Sequence, residues 1–390
     1  MIERGKTICP DHGVIDLKDV IFYDRKNGVG IEVGKGGNDS DAKLFGTSRF
    51  KRVSIGRPAY QSGYIDSFIA EYYGTEEGNA VALSQEYLRS TDRICPKCYF
   101  QNKVTYLPYK GGFYPTYLLP MIGSPEVGKT VYQQSIMENL RERRTSGQDG
   151  ICSYHYENGD NQLGGDEIAP EASPVSRDKM TVLWVKHKGK LSAQLLLMDT
   201  AGELTRYNGY IREDASKVLS EITNQADGFF LFCDPRAVKS ADMAGYLQDK
   251  APVKGDMNFL LDELAPGKGM PICQVMSGAD RLHEIAAKHK GIHKDGMVEI
   301  TEKSFLFKNV PPTPANIAKH CHLAKDLFCS LTDVASGAAD AYFVISSGRD
   351  GRVGKQRTIN YSETINLAFP IIWMANKLNL VEVKEVQHER

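Results

Sequence analysis

Short apolar runs recur along the chain from Tyr117 onward, and all but the Thr181 to Val185 run stop at a glycine, an acid or a hydroxyl-bearing residue. Tyr117-Leu118-Leu119-Pro120-Met121-Ile122 meets Gly123, and Thr181-Val182-Leu183-Trp184-Val185 is joined to Gln194-Leu195-Leu196-Leu197-Met198 through the turn Lys186-His187-Lys188-Gly189-Lys190. Gly228-Phe229-Phe230-Leu231-Phe232-Cys233 stops at Asp234-Pro235, Pro271-Ile272-Cys273-Gln274-Val275-Met276 at Ser277-Gly278-Ala279-Asp280, and Ala341-Tyr342-Phe343-Val344-Ile345 at Ser346-Ser347-Gly348. Runs of this length bounded by turn signals read as strands of a doubly covered sheet. Helix-like stretches lie between and after them, at Val131 to Ile136, at Ile211 to Thr223, and from Thr364 to Leu378 with an interruption at Pro370. Strands alternating with helices predict an α/β fold, a three-layer sandwich with a largely parallel sheet. In such a sheet ligands collect at the carboxyl ends of the strands, where all of these polar clusters fall.

Composition adds bounds. With 390 residues the chain has room for two or three domains and a sizeable core. A formal net charge of −1 lacks the basic footprint of a nucleic-acid binder. Met1-Ile2-Glu3-Arg4-Gly5-Lys6 carries no apolar leader, and the apolar stretches fall short of a membrane span, so a soluble cytoplasmic protein is expected. Eight cysteines are too sparse for a disulfide framework, and Cys233 and Cys273, inside apolar runs, are expected to be inert core residues.

The first cluster carries the strongest chemistry. Gly123-Ser124-Pro125-Glu126-Val127-Gly128-Lys129-Thr130 fits G-x-x-x-x-G-K-[ST] and stands between a strand-like run and the helix-like residues that begin with Val131. Such a loop meets a polyphosphate with a ring of backbone N–H groups and the positive end of the following helix. Gly123 and Gly128 let the backbone turn tightly, Lys129 is expected to reach the β- and γ-phosphates, and the Thr130 hydroxyl to ligate Mg²⁺. Pro125 and Glu126 fill variable positions; the first removes an N–H and the second adds a negative charge.

Asp199-Thr200-Ala201-Gly202-Glu203 follows the Gln194 to Met198 run directly. An acid at the end of a buried strand can hold Mg²⁺, and Gly202 three residues on lets a backbone N–H face the terminal phosphate.

These clusters, each after a strand and in this order, resemble the motif series of Ras-like P-loop GTPases, of the translation-factor-related GTPase class. The resemblance covers about residues 115 to 380. It implies GTP and GDP as ligands, Mg²⁺ as cofactor, Asp280 as the reader of guanine and Ser347 as a support of the base through backbone contacts. A carboxylate accepts from both N1–H and the 2-amino group of guanine, whereas adenine presents an acceptor at N1. Where the family has Asn-Lys before that acid, this chain has Ser277 and Gly278. That exchange is expected to remove one side chain that braces the phosphate loop and another that packs over the base. Glu203 stands where the Ras branch has the glutamine that orients the attacking water; a carboxylate there can take a proton from water but is repelled by phosphate. The segment before Thr181 shows no clean switch threonine, leaving Ser173 and Ser176. Asn158-Gly159-Asp160-Asn161 and Gly164-Gly165-Asp166 make this long segment polar and glycine-rich, so a mobile loop is expected over 145–180.

A second signal lies at the N-terminus. Ile8-Cys9-Pro10-Asp11-His12 and Ile94-Cys95-Pro96-Lys97-Cys98 repeat one pattern, an apolar residue, Cys-Pro, and a second Cys or His two residues on. Two such turns can give Zn²⁺ four ligands, Cys9, His12, Cys95 and Cys98, and they resemble zinc-ribbon knuckles. The roughly 80 residues between them would form an inserted, strand-rich segment. A redox pair of Cys95 and Cys98, or unpaired thiols, are the alternatives; no thioredoxin-like βαβ unit surrounds the pair.

Other clusters read as structural. His283-Glu284 followed by His289 misses the H-E-x-x-H spacing, and His320-Cys321-His322 with Cys329 sends adjacent side chains in different directions on a helix. Arg49, Lys51, Arg52 and Arg57 read as a solvated strand face.

The expected organisation is a zinc-ribbon-like domain over 1–112 and a P-loop GTPase-like domain over 113–390, with insertions near 145–180, 236–270 and 283–340. The expected activity is Mg²⁺-dependent GTP binding and hydrolysis as a molecular switch, using Lys129, Thr130, Asp199, Gly202 and Glu203, slow unless a partner supplies an arginine. Arg206 is the nearest in-chain arginine to that site in sequence. A protein partner is expected at the switch loops or the zinc module. The layout also resembles bacterial double-GTPase-type proteins of conflict systems. An ATPase of the same fold, or a non-hydrolysing nucleotide-bound scaffold, remain the alternatives.

Overall fold

The computed structural model describes residues 1–2, 5–9, 11–16, 19–24, 29–33, 50–55, 70–73, 80–83, 92–100, 107–108, 114–123, 127–141, 150–153, 166–168, 180–187, 190–199, 224–233, 269–288, 300–301, 303–331, 339–353, 356–360 and 364–381. The chain opens with an antiparallel pair, β1 (Lys6–Cys9) and β2 (Gly13–Asp16), in which Cys9 lies opposite Gly13. Six strands follow: β3 (Ile21–Asp24), β4 (Val29–Val33), β5 (Phe50–Ile55), β6 (Ala70–Tyr73), β7 (Ala80–Leu83) and β8 (Asp92–Ile94). They form one sheet in the order β7-β6-β5-β4-β3-β8, antiparallel except for the β4–β5 pair. A short helix, α1 (Pro96–Phe100), closes this part.

The apolar runs from Tyr117 onward become one seven-stranded sheet. Its members are β9 (Thr116–Ile122), β10 (Gly150–Ser153), β12 (Met180–His187), β13 (Lys190–Asp199), β14 (Phe229–Cys233), β15 (Ile272–Ser277) and β16 (Ala341–Ile345). The order is β10-β12-β13-β9-β14-β15-β16, and β12 alone runs against the others. β9 sits between the strand that follows it through β12 and the strands that lead away to the other edge. The chain therefore reverses direction across the sheet beside β9, the position at which an open α/β sheet forms a crevice beyond its strand ends. The C-terminal part is thus a mostly parallel α/β architecture that fits a P-loop-like fold.

Alternation along the strands assigns the layers. Leu119 and Met121 of β9, Leu195 and Leu197 of β13, and Phe230 and Phe232 of β14 face α2 (Lys129–Arg141) and α5 (Phe369–Lys377). Phe229, Leu231, Met276 and Val344 face the other way, against α3 (Ala279–Lys288) and α4 (Pro314–Leu331). The rest of this second face is covered by the N-terminal segment: Ile2 and Ile8 pack on Leu118, Leu196 and Met198. Ile2 also bridges to Thr116 through reciprocal backbone hydrogen bonds of 2.8 and 3.3 Å. Cys233 and Cys273 are buried in this core, as expected.

Several local expectations change. The 145–180 segment, read as a mobile loop, contributes β10 to the sheet edge and β11 (Asp166–Ile168) to a small sheet with β17 (Arg349–Val353) and β18 (Gln356–Asn360). Neighbouring strand edges supply the backbone partners that its polar sequence does not announce. Pro370 does not interrupt α5; it occupies the first turn, where its missing N–H costs nothing. The helix expected over 211–223, and residues 236–268 of the insertion expected near 236–270, lie outside the described residues.

α4 runs along the edge strand β16 and satisfies it. The Val344 N–H donates to Nε2 of His320 at 3.1 Å, and the Tyr342 N–H to Sγ of Cys321 at 3.4 Å. His322 is exposed and faces Asp326 at 3.6 Å. His320, Cys321 and His322 are therefore not one ligand set. Among the described residues, no helix is long and apolar enough to cross a membrane.

Candidate functional site

Gly123 leaves β9 and Gly128 precedes α2, and both positions exclude a side chain. A Cβ on Gly123 would lie 2.5 Å from the Phe232 carbonyl oxygen, and Gly128 has φ +89° with Ser277 Oγ 3.1 Å from its would-be Cβ. The backbone can make this close, left-handed turn only with glycine. α2 then begins at once, with the Tyr132 N–H donating to the Gly128 carbonyl at 2.8 Å. Lys129 is buried, and its Nζ donates to the Gly123 carbonyl at 2.7 Å, which holds the ammonium back over the loop. Val131 lies in the first turn of α2, half-buried.

Thr130 Oγ1 donates to Oδ2 of Asp199 at 2.6 Å. One residue comes from the first turn of α2 and the other from the end of β13, which is parallel to β9, with Asp199 opposite Met121. A hydroxyl and a carboxylate side by side, next to a buried lysine, are the oxygen donors a hard divalent cation such as Mg²⁺ takes, so these residues fit that ion.

At the end of β15, the hydroxyl of Ser277 donates to the Val127 carbonyl of the glycine loop. The expectation that this substitution removes the brace is thus corrected: the shorter side chain suffices because the strand end and the loop approach closely. Asp280 begins the second residue of α3, and Ser346 Oγ donates to its Oδ1 at 3.0 Å. The same Ser346 is pinned by reciprocal backbone bonds to Ile365 of 3.0 and 3.1 Å. Ser347 is buried beside it, and its carbonyl accepts from the hydroxyl of Ser135 on α2. Ser135 had no motif to mark it, and Ser346 was legible only as part of the Ser346-Ser347-Gly348 cluster.

The glycine loop, Asp199, Ser277, Asp280, Ser346 and Ser347 thus gather at the carboxyl ends of β9, β13, β15 and β16. Ser124, Pro125, Glu126, Gly202, Glu203, Ser173, Ser176 and Arg206 lie outside the described residues.

A second constellation forms where β1, the turn to β2, and the start of α1 meet. Cys9, His12, Cys95 and Cys98 place their ligand atoms within 4.8 Å of one another. Cys9 Sγ is 3.7 Å from Cys98 Sγ and from His12 Nδ1, while Nδ1 is 3.6 Å from Cys95 Sγ and 3.3 Å from Cys98 Sγ. A tetrahedral Zn²⁺ with Zn–S near 2.3 Å requires sulfur–sulfur edges of about 3.8 Å and slightly shorter sulfur–nitrogen edges. These four edges match such an ion closely. The Cys98 N–H points at Cys95 Sγ at 3.5 Å, a contact that favours thiolate. The hydrogen bond from Cys9, then those from Cys98, pull the Cys95 thiol down to about 5, while the contact with Cys95 and burial push the Cys9 thiol up. Three cysteines and a histidine are a donor set for zinc rather than for calcium or magnesium.

No protein-family model matches the chain, and no curated protein matches it. Among solved structures the chain is similar to a variant of Aquifex aeolicus Era bound to GDP.AlF4-, at 11% identity and a TM-score of 0.21. The match covers 43% of this chain and 42% of that one, so the chain spans less than half the length of the structure it matches. What the site can do follows from its own residues.

Proposed function

We propose that the protein is a Mg²⁺-dependent guanine-nucleotide-binding protein that hydrolyses GTP slowly and works as a molecular switch, with a structural zinc site in its N-terminal part. The observation that carries the reading is the Thr130–Asp199 hydrogen bond beside buried Lys129. It joins the glycine loop to the acid of a neighbouring parallel strand, as binding a metal–triphosphate requires. Gly123, Ser124, Glu126, Val127 and Gly128 would wrap the phosphates with backbone N–H groups, Pro125 having none to give, and Lys129 would leave the Gly123 carbonyl for a phosphate oxygen. Mg²⁺, when bound, neutralises charge on the phosphates. Gly202 and Glu203 follow Asp199 and are proposed to meet the γ-phosphate and the attacking water.

Asp280 is proposed to read guanine, because its carboxylate stands at the strand ends, held by the Ser346 hydroxyl, and a carboxylate can accept from both N1–H and the 2-amino group of that base. Ser277 fastens the glycine loop through the Val127 carbonyl. Zinc at Cys9, His12, Cys95 and Cys98 would fix β1 to α1 and leave no open position for chemistry. The proposed division is 1–112 for the zinc-bearing part and 113–390 for the nucleotide-binding part, with a protein partner at the switch segments or the zinc part.

Nucleotide released from freshly purified protein by acid, separated by ion-exchange chromatography, tests the reading. GDP or GTP at a substantial fraction of the protein supports it. Adenine nucleotide in their place overturns the base assignment, and phosphate release unchanged by Lys129→Ala overturns hydrolysis.

A further inference from the structure

A serine inside a helix ordinarily turns its hydroxyl back to the carbonyl one turn earlier or out to water. Ser135 of α2 does neither. It is 1% exposed, and its hydroxyl donates to the carbonyl of Ser347, in the loop after β16. That loop also carries Ser346, whose hydroxyl lies on Asp280. Lys129 and Thr130 stand in the first turn of the helix that carries Ser135. One short loop is thus tied at one residue to the acid beside it and at the next to the helix that leads away from the glycine loop.

We propose that Ser135 is a positioning residue that locks the base loop to the phosphate helix and so sets how long a guanine nucleotide stays bound. The proposal rests on the guanine-nucleotide reading above. Without the Ser135 hydroxyl, the Ser347 carbonyl loses its donor in a dry site, and the loop that orients Asp280 can shift against α2 without disturbing Lys129 or Thr130. Loss of the tie therefore weakens the grip on the base and spares the grip on the phosphates. Ser277, which bonds the glycine loop itself, would not separate the two in this way.

The test compares the full-length protein with Ser135→Ala and Ser135→Cys; cysteine keeps the size and offers a weaker donor. Dissociation of a fluorescent GDP derivative is followed in Mg²⁺, and binding of inorganic tripolyphosphate, which has no base, is measured by calorimetry. Ser135→Ala is expected to release GDP about tenfold faster, as for one lost buried hydrogen bond, with tripolyphosphate affinity unchanged. Ser135→Cys should fall between the two. GDP release at the parent rate in either variant overturns the proposal, as does a matching loss of tripolyphosphate affinity. A parent protein that binds tripolyphosphate but no GDP overturns the guanine reading itself, and this proposal with it.

Discussion

The Thr130 hydroxyl donates to Asp199 Oδ2 across 2.6 Å, joining the helix after the glycine loop to the end of the adjacent parallel strand. Neither residue alone distinguishes a cation site from an ordinary helix start and strand end. Together, beside buried Lys129, they offer oxygen donors and a positive charge of the kind the proposed metal–triphosphate ligand needs. Thr130→Ala is expected to weaken nucleoside triphosphate binding by at least about tenfold in Mg²⁺ and little in a chelator, measured by calorimetry in both buffers. Equal weakening in the two buffers would assign Thr130 to the phosphates alone.

Asp280 accepts from Ser346 through one oxygen. Asp280→Asn is expected to move base preference from guanine toward xanthine, with a loss of guanine affinity of at least about a hundredfold, since the amide donates where the carboxylate only accepts. Competition of GDP and XDP for one fluorescent nucleotide reads the change.

The cysteine–histidine cluster predicts about one zinc per chain by elemental analysis. Cys98→Ser should lose that metal and lower the melting temperature of the N-terminal part by about 10 °C, because the ion's binding energy is folding energy. Ile8, next to Cys9, packs on Leu118, Leu196 and Met198, so the loosening should also reach the β9–β13 face of the large sheet. Hydrogen exchange that rises in β1 and α1, and also in β9 and β13, checks the coupling.

His320 gives a pH dependence with a definite sign. Burial pushes it down to about 4 from 6.5, because the ring is packed between Phe343 and Phe369. Below 6.5 the unfolded chain takes up a proton there that the folded chain refuses, so this contribution is intact above pH 6.5 and is lost as pH falls toward 4. Urea unfolding at about pH 7 and about pH 5 should differ by about 2 kcal/mol from this group, and His320→Gln should remove that share.

The strands and their order of use were legible because each is a short apolar run ending in turn chemistry, and a doubly covered sheet leaves that signature. β10 and β11 were not, since Gly150-Ile151-Cys152-Ser153 and Asp166-Glu167-Ile168 carry no apolar periodicity. Edge pairing with β12 and β18 forms them instead. The metal cluster was readable because ligand spacing in each Cys-Pro turn is local, even though β3 to β8 lie between the turns. Ser277 was misread as a lost brace because a comparison of side-chain lengths does not contain the distance to Val127. Ser135 and the edge-capping role of His320 depend on contacts across 212 and 24 residues, and no local pattern encodes them.

The most direct measurement of the central claim is isothermal titration of nucleotide-free protein with GTP and with ATP at matched Mg²⁺, beside Lys129→Ala. GTP should bind with one site per chain and at least about a hundredfold more tightly than ATP, and Lys129→Ala should abolish the signal. Tighter ATP binding would contradict the guanine assignment, and GTP binding undiminished in Lys129→Ala would contradict the phosphate site itself.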